Sequence, residues 1–118
     1  MYISQITAIG PLAAEMAEQQ MMVLFGDDAP EAVAEIAVMH SGQTLERDIA
    51  PGDEMIVGEQ VFTVTAVGGE ANRTFRVMGH CTLVFTGAAE VALPGQIALG
   101  GGKAPIVRAG EDLMVVFA

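Results

Sequence analysis

Residues 55–67 read MIVGEQVFTVTAV, the pattern of two short strands joined by a turn around Gly58. In the second of these strands, Phe62, Val64 and Ala66 alternate with two threonines. Since successive side chains of a strand point to opposite faces, the apolar residues share one face and the threonines share the other. This alternation predicts a half-buried strand and a β-hairpin near the middle of the chain.

The same kind of pattern continues on both sides of the hairpin. Short apolar or alternating runs are separated by turns rich in Gly, Pro and acidic residues, which is typical of all-β proteins. We expect an all-β fold, a small and mainly antiparallel β-barrel of about eight strands with one or two short helices, with a sandwich as the alternative. The predicted strands are Tyr2–Ile9, Met21–Phe25, Ile36–Met39, Met55–Val57, Val61–Val67, Thr74–Met78, His80–Thr86, Gln96–Leu99 and Leu113–Phe117.

Two segments favour helices and two favour irregular structure. Leu12–Gln20 is rich in Ala, Glu and Met and predicts a short helix or a loop. Asp28 is followed three residues later by Glu31, which predicts a helix start with Asp28 as the capping side chain. Gly68–Asn72 predicts a loop, and Gly79 predicts a bulge between two strands.

Composition limits the class of protein. The chain has 118 residues, of which 52% are hydrophobic and 17% charged, with a formal net charge of −10. These values predict one folded domain over residues 1–118 rather than a disordered acidic chain. Binding to nucleic acid or to an anionic membrane surface is not expected, because both need clustered Lys and Arg. Twelve of the 15 acidic residues and one of the five basic residues lie in residues 1–72, which favours either steering of a basic partner or simple solubility.

The single cysteine and the lack of recognisable targeting signals predict a cytoplasmic protein. Cys81 is the only cysteine, so no intrachain disulfide is expected, which fits a reducing compartment. The first residues lack both a basic start and a long apolar stretch, so we expect no signal peptide. No apolar run approaches the ~20 residues of a membrane-spanning helix. In a strand, Cys81 would share its face with Leu83 and Phe85, which favours buried packing.

Several kinds of site are disfavoured by spacing or by residue content. The run Gly100-Gly101-Gly102-Lys103 resembles part of a phosphate loop, but Ile97 stands in place of its first glycine and Ala104 in place of the Ser or Thr that binds magnesium. We interpret this run as a flexible turn. A structural zinc site needs four close His or Cys ligands, whereas the chain has two His and one Cys. We therefore expect no cofactor and no bound metal.

The two histidines remain as candidates for chemistry. His40 ends the apolar run Ile36–Met39 and precedes Ser41-Gly42, which predicts an imidazole at the edge of the core with open backbone beside it. A neutral imidazole is a competent nucleophile near pH 7, since its ordinary pKa is ~6.5. The alternative is a hydrogen-bonded histidine at a strand end. His80 begins the strand face that carries Thr82, and it would either lie beside His40, if their strands pair, or be structural.

Six segments in a fixed order carry a resemblance to a known family. They are Met22–Phe25, Ala29-Pro30, Val38–His40, Val64–Gly68, Gly79–Phe85 and Leu93–Gly95. Over nearly the whole chain, their order and spacing resemble the glucitol/sorbitol-specific IIA component of the bacterial phosphoenolpyruvate-dependent sugar phosphotransferase system. None of the segments is a specific motif singly.

The resemblance implies a phosphoryl carrier. In this family the phosphorylated protein HPr donates its phosphoryl group to a histidine of the IIA protein, which passes it to a cysteine of the cognate IIB component of the IIB/IIC membrane permease. His40 falls where the family has its phosphorylated histidine, and His80 falls in the family's Gly-His segment with a supporting role. Backbone N–H groups around Ser41 and Gly42, the Ser41 hydroxyl and Thr82 are candidates for stabilising the phosphoryl oxygens.

Two alternatives concern activity and assembly. A non-catalytic β-barrel module that binds a partner or regulates the same transport system is the second functional hypothesis. A homodimer formed by exchange of the last strand is also expected to be accessible, with Gly100–Gly102 as its hinge.

Overall fold

The computed structural model covers residues 1–118 and contains eight strands and three short helices. The strands are β1 (Tyr2–Ile9), β2 (Met21–Gly26), β3 (Ala37–Gly42), β4 (Glu54–Val57), β5 (Gln60–Val67), β6 (Cys81–Val84), β7 (Gln96–Gly100) and β8 (Asp112–Val116). The helices are α1 (Ala13–Glu18), α2 (Glu31–Ala34) and α3 (Ala71–Met78). None of the helices is long and apolar enough to cross a membrane.

The strands form one closed barrel in the order β1-β3-β2-β6-β7-β5-β4-β8, with β8 returning to β1. Of the eight neighbouring pairs, only β2–β3 and β6–β7 are parallel, and the others are antiparallel. The predicted all-β, mainly antiparallel barrel of eight strands is therefore confirmed. Three helices accompany it, rather than the one or two expected.

The hairpin at residues 55–67 is confirmed as β4 and β5. Its two-residue turn places Gly58 at φ +64°, a left-handed conformation that glycine adopts without steric cost. Phe62, Val64 and Ala66 are buried, whereas the threonines between them are exposed or half-buried. The alternation read from the sequence is thus the inside–outside alternation of a barrel strand.

The core fills the inside of the barrel with one cluster of 21 buried residues. Cys81 belongs to this cluster and is fully buried. Burial raises the pKa of its thiol to about 12, so the thiol is protonated at neutral pH and is not a nucleophile. The packing role predicted for Cys81 is confirmed.

Strand β3 extends further than predicted. Ser41 and Gly42 belong to the strand and pair with β1, where Ser41 lies opposite Gln5 and Gly42 opposite Ser4. They do not form the open backbone expected after His40, because β1 reaches far enough to pair with them. His40 therefore lies inside the strand and not at its end.

Helix α3 replaces a predicted loop at 68–72 and a predicted strand at 74–78. Residues 74–78 alternate in polarity, which suggested a strand. Ala71 and Phe75 lie four residues apart and so share one face of a helix, and both side chains are buried. Packing of this face against the barrel favours the helix, and the local sequence does not reveal that packing.

Gly79 ends α3 and is not the predicted bulge. Its φ of +66° is left-handed, and its N–H donates to the carbonyl of Phe75 at 2.8 Å. A Cβ at this position would lie 3.0 Å from the backbone nitrogen of Gly26 and 3.1 Å from Nε2 of His40. Both the left-handed conformation and the lack of space for a side chain require glycine at position 79. With glycine there, the turn after α3 can lie directly against β2 and β3.

The other two helices agree with prediction except in one cap. Helix α1 lies within the segment 12–20 that predicted a helix or a loop. Helix α2 begins at Glu31, but no side chain caps it, so the predicted cap by Asp28 is wrong. Pro30 is extended (ψ 150°) and occupies the capping position, so Asp28 lies two residues before the place from which a side chain caps a helix.

The last strand closes the barrel within its own chain. Strand β8 pairs with β1 on one side and with β4 on the other. The glycines at 101 and 102 form a bend at φ +112° and +157°, in agreement with the predicted turn. Exchange of β8 between two copies stays a prediction.

The inside–outside alternation of β5 predicts a large difference between neighbouring substitutions. Phe62 is 1% exposed and packs edge-on against Phe85, so Phe62→Ala should lower the free energy of unfolding by about 3–5 kcal/mol. Val61, on the outer face, is 53% exposed, and Val61→Ala should change it by less than about 0.5 kcal/mol. Urea denaturation followed by circular dichroism measures both values. Equal losses would contradict the assignment of faces.

Candidate functional site

A shallow cleft lies at the end of the barrel where α3 meets β2 and β3. It is lined by the turn Gly26–Asp28 after β2, by residues 40–43 at the end of β3, by the segment 75–79 of α3 and its last turn, and by Tyr2. A second cleft, beside α1, is lined by nine hydrophobic residues out of ten and holds no titratable side chain. None of the other clefts on the surface is lined by a histidine. The first cleft is therefore the candidate site, because a histidine lines it.

The imidazole of His40 is held on three sides. Its Nδ1 lies 2.7 Å from the hydroxyl oxygen of Ser4, and its Nε2 lies 2.8 Å from the carbonyl oxygen of Gly79. The ring stacks on Phe75, with the centroids 5.4 Å apart and the planes 18° from parallel. These contacts fix both the position and the orientation of the ring.

The ring is less accessible than its sequence context predicted. His40 is only 3% exposed, whereas we expected an imidazole at the edge of the core with open backbone beside it. Helix α3 and Gly79 provide the cover, because Phe75 lies on the ring face and the Gly79 carbonyl meets Nε2. The ring is therefore covered on the side of α3 and of the turn at Gly79.

The two hydrogen bonds define the tautomer of the neutral ring. A carbonyl oxygen can only accept, so Nε2 of His40 carries the proton and donates to Gly79. Nδ1 then has its lone pair free and accepts from the hydroxyl of Ser4. In the closed site, neither ring nitrogen has a lone pair directed at the cleft.

Burial also shifts the acidity of His40. Removal from water lowers its pKa below 6.5, while the hydrogen bond to Gly79 and the negative charge of Asp27 oppose the shift. The ring is therefore mainly neutral at pH 7, and a neutral imidazole is the form that acts as a nucleophile.

His80 does not lie beside His40. His40 lies in β3, and His80 directly precedes β6. Both strands pair with β2 and not with each other. Nδ1 of His80 donates to the carbonyl of Leu24 at 3.0 Å, and its ring lies 4.9 Å from that of Phe25. Its Nε2 has no hydrogen-bond partner in the protein, so its lone pair is free. His80 directly follows Gly79, the residue whose carbonyl bonds to the His40 ring.

The other predicted residues are divided between two places. Ser41 and Gly42 line the cleft and are exposed, as a group that binds phosphoryl oxygens must be. Thr82 lies on β6 opposite Val23, its backbone N–H donates to Gly95, and it does not line the cleft. The structure therefore does not bring Thr82 together with His40.

Sequence reasoning missed Ser4. In β1 it stands between Tyr2 and Ile6 on the buried face, and all three are less than 9% exposed. A hydroxyl alternating with buried apolar residues was the one available signal, since a buried polar group needs a partner. The carbonyl of Gly79 left no signal in the sequence, because any residue supplies a carbonyl.

The rim of the cleft is acidic. Asp27 and Asp28 line it, and the carboxylate of the exposed Asp27 accepts a hydrogen bond from the hydroxyl of Thr7. Arg76 is the one basic residue of the lining, but its guanidinium forms a salt bridge with Asp48 at 2.7 Å and donates to a backbone carbonyl. Its charge is therefore already partly compensated, and the unpaired charges at the rim are negative.

The barrel has been seen before in a solved structure. The crystal structure of a PTS system IIA component from Enterococcus faecalis V583 matches with a TM-score of 0.84 and covers 97% of this chain and 98% of that one. The two sequences are 23% identical, so this likeness establishes a shared fold. The closed eight-stranded barrel described above is therefore the fold of that protein.

Sequence comparison identifies the family. The family model "PTS system glucitol/sorbitol-specific IIA component" matches residues 1–114. The glucitol/sorbitol-specific EIIA components of Shigella flexneri and Escherichia coli K12 are each 34% identical over 100 residues, which is 85% of this chain and 81% of theirs. The chain therefore belongs to the glucitol/sorbitol-specific IIA components, phosphocarriers in sugar uptake, and the resemblance inferred from its segments is confirmed.

The buried neutral ring predicts a pH dependence of stability. Because the pKa of folded His40 lies below 6.5, the unfolded chain binds this proton first as the pH falls. The contribution is fully present above pH 6.5 and is lost as the pH drops from 6.5 to the folded pKa. Urea midpoints measured between pH 7.5 and 5.5 should therefore fall further for wild type than for His40→Gln, which lacks the titrating group. An NMR titration of His80→Gln, which has only the His40 imidazole, checks the pKa directly, and a value at or above 6.5 would contradict it.

Proposed function

We propose that this chain accepts a phosphoryl group from phosphorylated HPr on His40 and passes it to the cysteine of a cognate IIB component. The transfer would drive uptake and phosphorylation of the sugar, glucitol/sorbitol, by the IIB/IIC membrane permease. The domain over residues 1–118 would do this in the cytoplasm, as one unit and as an enzymatic phosphotransferase component. The observation that carries the proposal is the neutral imidazole of His40 in the one cleft that a histidine lines.

The chemistry of this transfer needs little beyond a positioned nucleophile. Phosphoryl transfer between two histidines depends on alignment and on stabilisation of charge, and it requires neither a metal nor a bound cofactor on this chain. The ring of His40 meets the first requirement, since Ser4 and Phe75 fix its orientation. Ser41 and Gly42, at the open side of the cleft, are the candidates for contacting the phosphoryl oxygens.

The surface around the cleft suits a protein donor. Val77 and Met78, on the last turn of α3, are 72% and 38% exposed and line the same cleft as the acidic pair Asp27 and Asp28. An exposed apolar pair near unpaired carboxylates is complementary to a partner face with an apolar centre and basic residues. A basic face of HPr would satisfy this description, and its docking against α3 could displace the turn at Gly79.

His80 has a supporting role in this proposal. Its hydrogen bond to Leu24 anchors the residue after Gly79 to β2 and so holds the turn that covers Nε2 of His40. The free Nε2 of His80 also makes it the competing site of phosphorylation. The second hypothesis, a non-catalytic module that binds or regulates its transport system, requires neither histidine to react.

Phosphorylation in a purified system tests these assignments. Incubation with phosphoenolpyruvate, enzyme I and HPr should add one phosphoryl group to the wild-type chain, seen by intact mass as an acid-labile and base-stable adduct. His40→Gln should abolish the adduct, because the nucleophile is gone. His80→Gln, the matched control, should keep it at a reduced rate.

Each other outcome excludes one hypothesis. Absence of the adduct from wild type would leave the non-catalytic module. An adduct that survives His40→Gln but is lost in His80→Gln would move the site to His80 and leave the phosphocarrier function intact.

The acidic rim predicts a dependence on ionic strength. If Asp27 and Asp28 attract a basic face of HPr, the rate of phosphoryl transfer should fall steeply as salt screens their charges. The double variant Asp27→Asn/Asp28→Asn should be slower at low salt by severalfold, with a flatter salt response. Glu90→Gln removes an exposed carboxylate outside the cleft and should behave as wild type. A flat salt response of the wild type would assign the acidic charge to solubility alone.

A further inference from the structure

We propose that Ser4 is the positioning residue that holds His40 in both of its tautomers and thereby allows Nε2 to become the attacking atom. The inference rests on the proposed phosphorylation of His40. It concerns a residue on β1 that precedes the histidine by 36 positions in the chain.

The hydroxyl of Ser4 is buried and bonds to His40. Only three polar or charged residues are buried in the chain: Ser4, His40 and Asp53. The carboxylate of Asp53 bonds to backbone N–H groups of Ala50 and Ala118, which is a structural use. The side chain of Ser4, 2% exposed, has His40 as its hydrogen-bond partner. Burying a hydroxyl is unfavourable without such a bond, so the pair forms a unit.

The two partners of the ring differ in what they can do. The carbonyl of Gly79 can only accept a hydrogen bond, so it holds the proton on Nε2. In this tautomer Nε2 has no free lone pair and cannot attack phosphorus. The hydroxyl of Ser4 can donate to Nδ1 or, after rotation, accept from it. Ser4 alone can remain bonded to the ring in both tautomers.

The direction of attack follows from where the two nitrogens point. Nδ1 faces Ser4 between β1 and β3, in the buried part of the site. Nε2 faces the carbonyl of Gly79. Gly79 follows Met78 and separates Nε2 from the exposed side of the cleft. Movement of this turn uncovers Nε2, whereas Nδ1 stays enclosed. The donor phosphoryl group can therefore reach only Nε2.

The proton and electron balance of the step is simple. When the turn opens and water reaches the ring, Nε2 gives its proton to water and Nδ1 receives the proton of the Ser4 hydroxyl, which water replaces, so the ring stays neutral and Nδ1–H donates to Ser4. The lone pair of Nε2 then forms the N–P bond while the P–N bond of the donor phosphohistidine breaks, and its electron pair returns to the donor ring. The His40 ring gains positive charge, and the Nδ1–H bond to Ser4 becomes charge-assisted and stronger.

Rapid-quench measurement of phosphoryl transfer from phosphorylated HPr tests the role of Ser4. Ser4→Ala should lower the maximal transfer rate about 10- to 100-fold, since a bond to a developing charge is lost. The KM for phosphorylated HPr should stay within about twofold, because the docking surface is unchanged. Ser4→Thr retains the hydroxyl and should recover most of the rate. Thr63→Ala removes an exposed hydroxyl outside the cleft and serves as the matched control for loss of a hydroxyl.

A spectroscopic readout separates positioning from mere stability. In ¹⁵N NMR, wild-type His40 should carry its proton on Nε2 before phosphorylation and on Nδ1 afterwards. The pKa of the phosphorylated ring should be lower in Ser4→Ala than in wild type, because the acceptor for Nδ1–H is missing. A general loss of stability would not produce this change.

The outcomes distinguish this proposal from the function on which it rests. A wild-type chain without phosphoryl on His40 would overturn both. Phosphorylated His40 together with a Ser4→Ala variant of wild-type rate and wild-type ring pKa would overturn the role of Ser4 alone. A phosphoryl group found on Nδ1 would overturn it as well, because Ser4 would then have to be displaced.

Discussion

Strand β1 pairs with β3 along one edge and with β8 along the other, and this double pairing closes the sheet. Closure leaves no open strand edge and creates an enclosed interior that the apolar side chains fill. It also brings Ser4 on β1 next to His40 on β3, since residues 4–6 run alongside residues 40–42. The candidate site is thus a consequence of barrel closure. Ser4, which bonds to His40, lies on the buried face of β1, where its neighbours on that face would predict an apolar residue.

Burial of His40 has two consequences that arise from the same contacts. Removal from water keeps the imidazole neutral, which is the nucleophilic form, and it also places the ring behind the turn at Gly79. The imidazole is thus in its nucleophilic form, but the turn at Gly79 covers it. The segment that covers the ring is short and bonds to it through one carbonyl. The exposed Val77 and Met78 lie on the helix end that leads into this segment.

The fold places part of the unevenly distributed acidic charge at the rim of the cleft. Acidic residues are concentrated in residues 1–72, and two of them, Asp27 and Asp28, lie on the rim of the cleft. The basic Arg76 in the same lining is engaged by Asp48. If the proposed function is correct, a protein partner at this rim would be the use of that charge. The fold thus brings part of the net charge of −10 to the cleft that His40 lines.

The amino-acid sequence was sufficient for the barrel, its hairpin at residues 55–67 and the packing of Cys81, because strand periodicity and turn residues are local signals. It also singled out His40, through its place in a recognisable order of segments. Helix α3 and the Ser4–His40–Gly79 contacts required the tertiary structure. The helix depends on burial of Ala71 and Phe75 against distant strands, and the contacts join residues 36 and 39 positions apart. Such long-range packing leaves no periodic trace along the chain, so only the folded barrel shows that the histidine is buried and which atoms hold it.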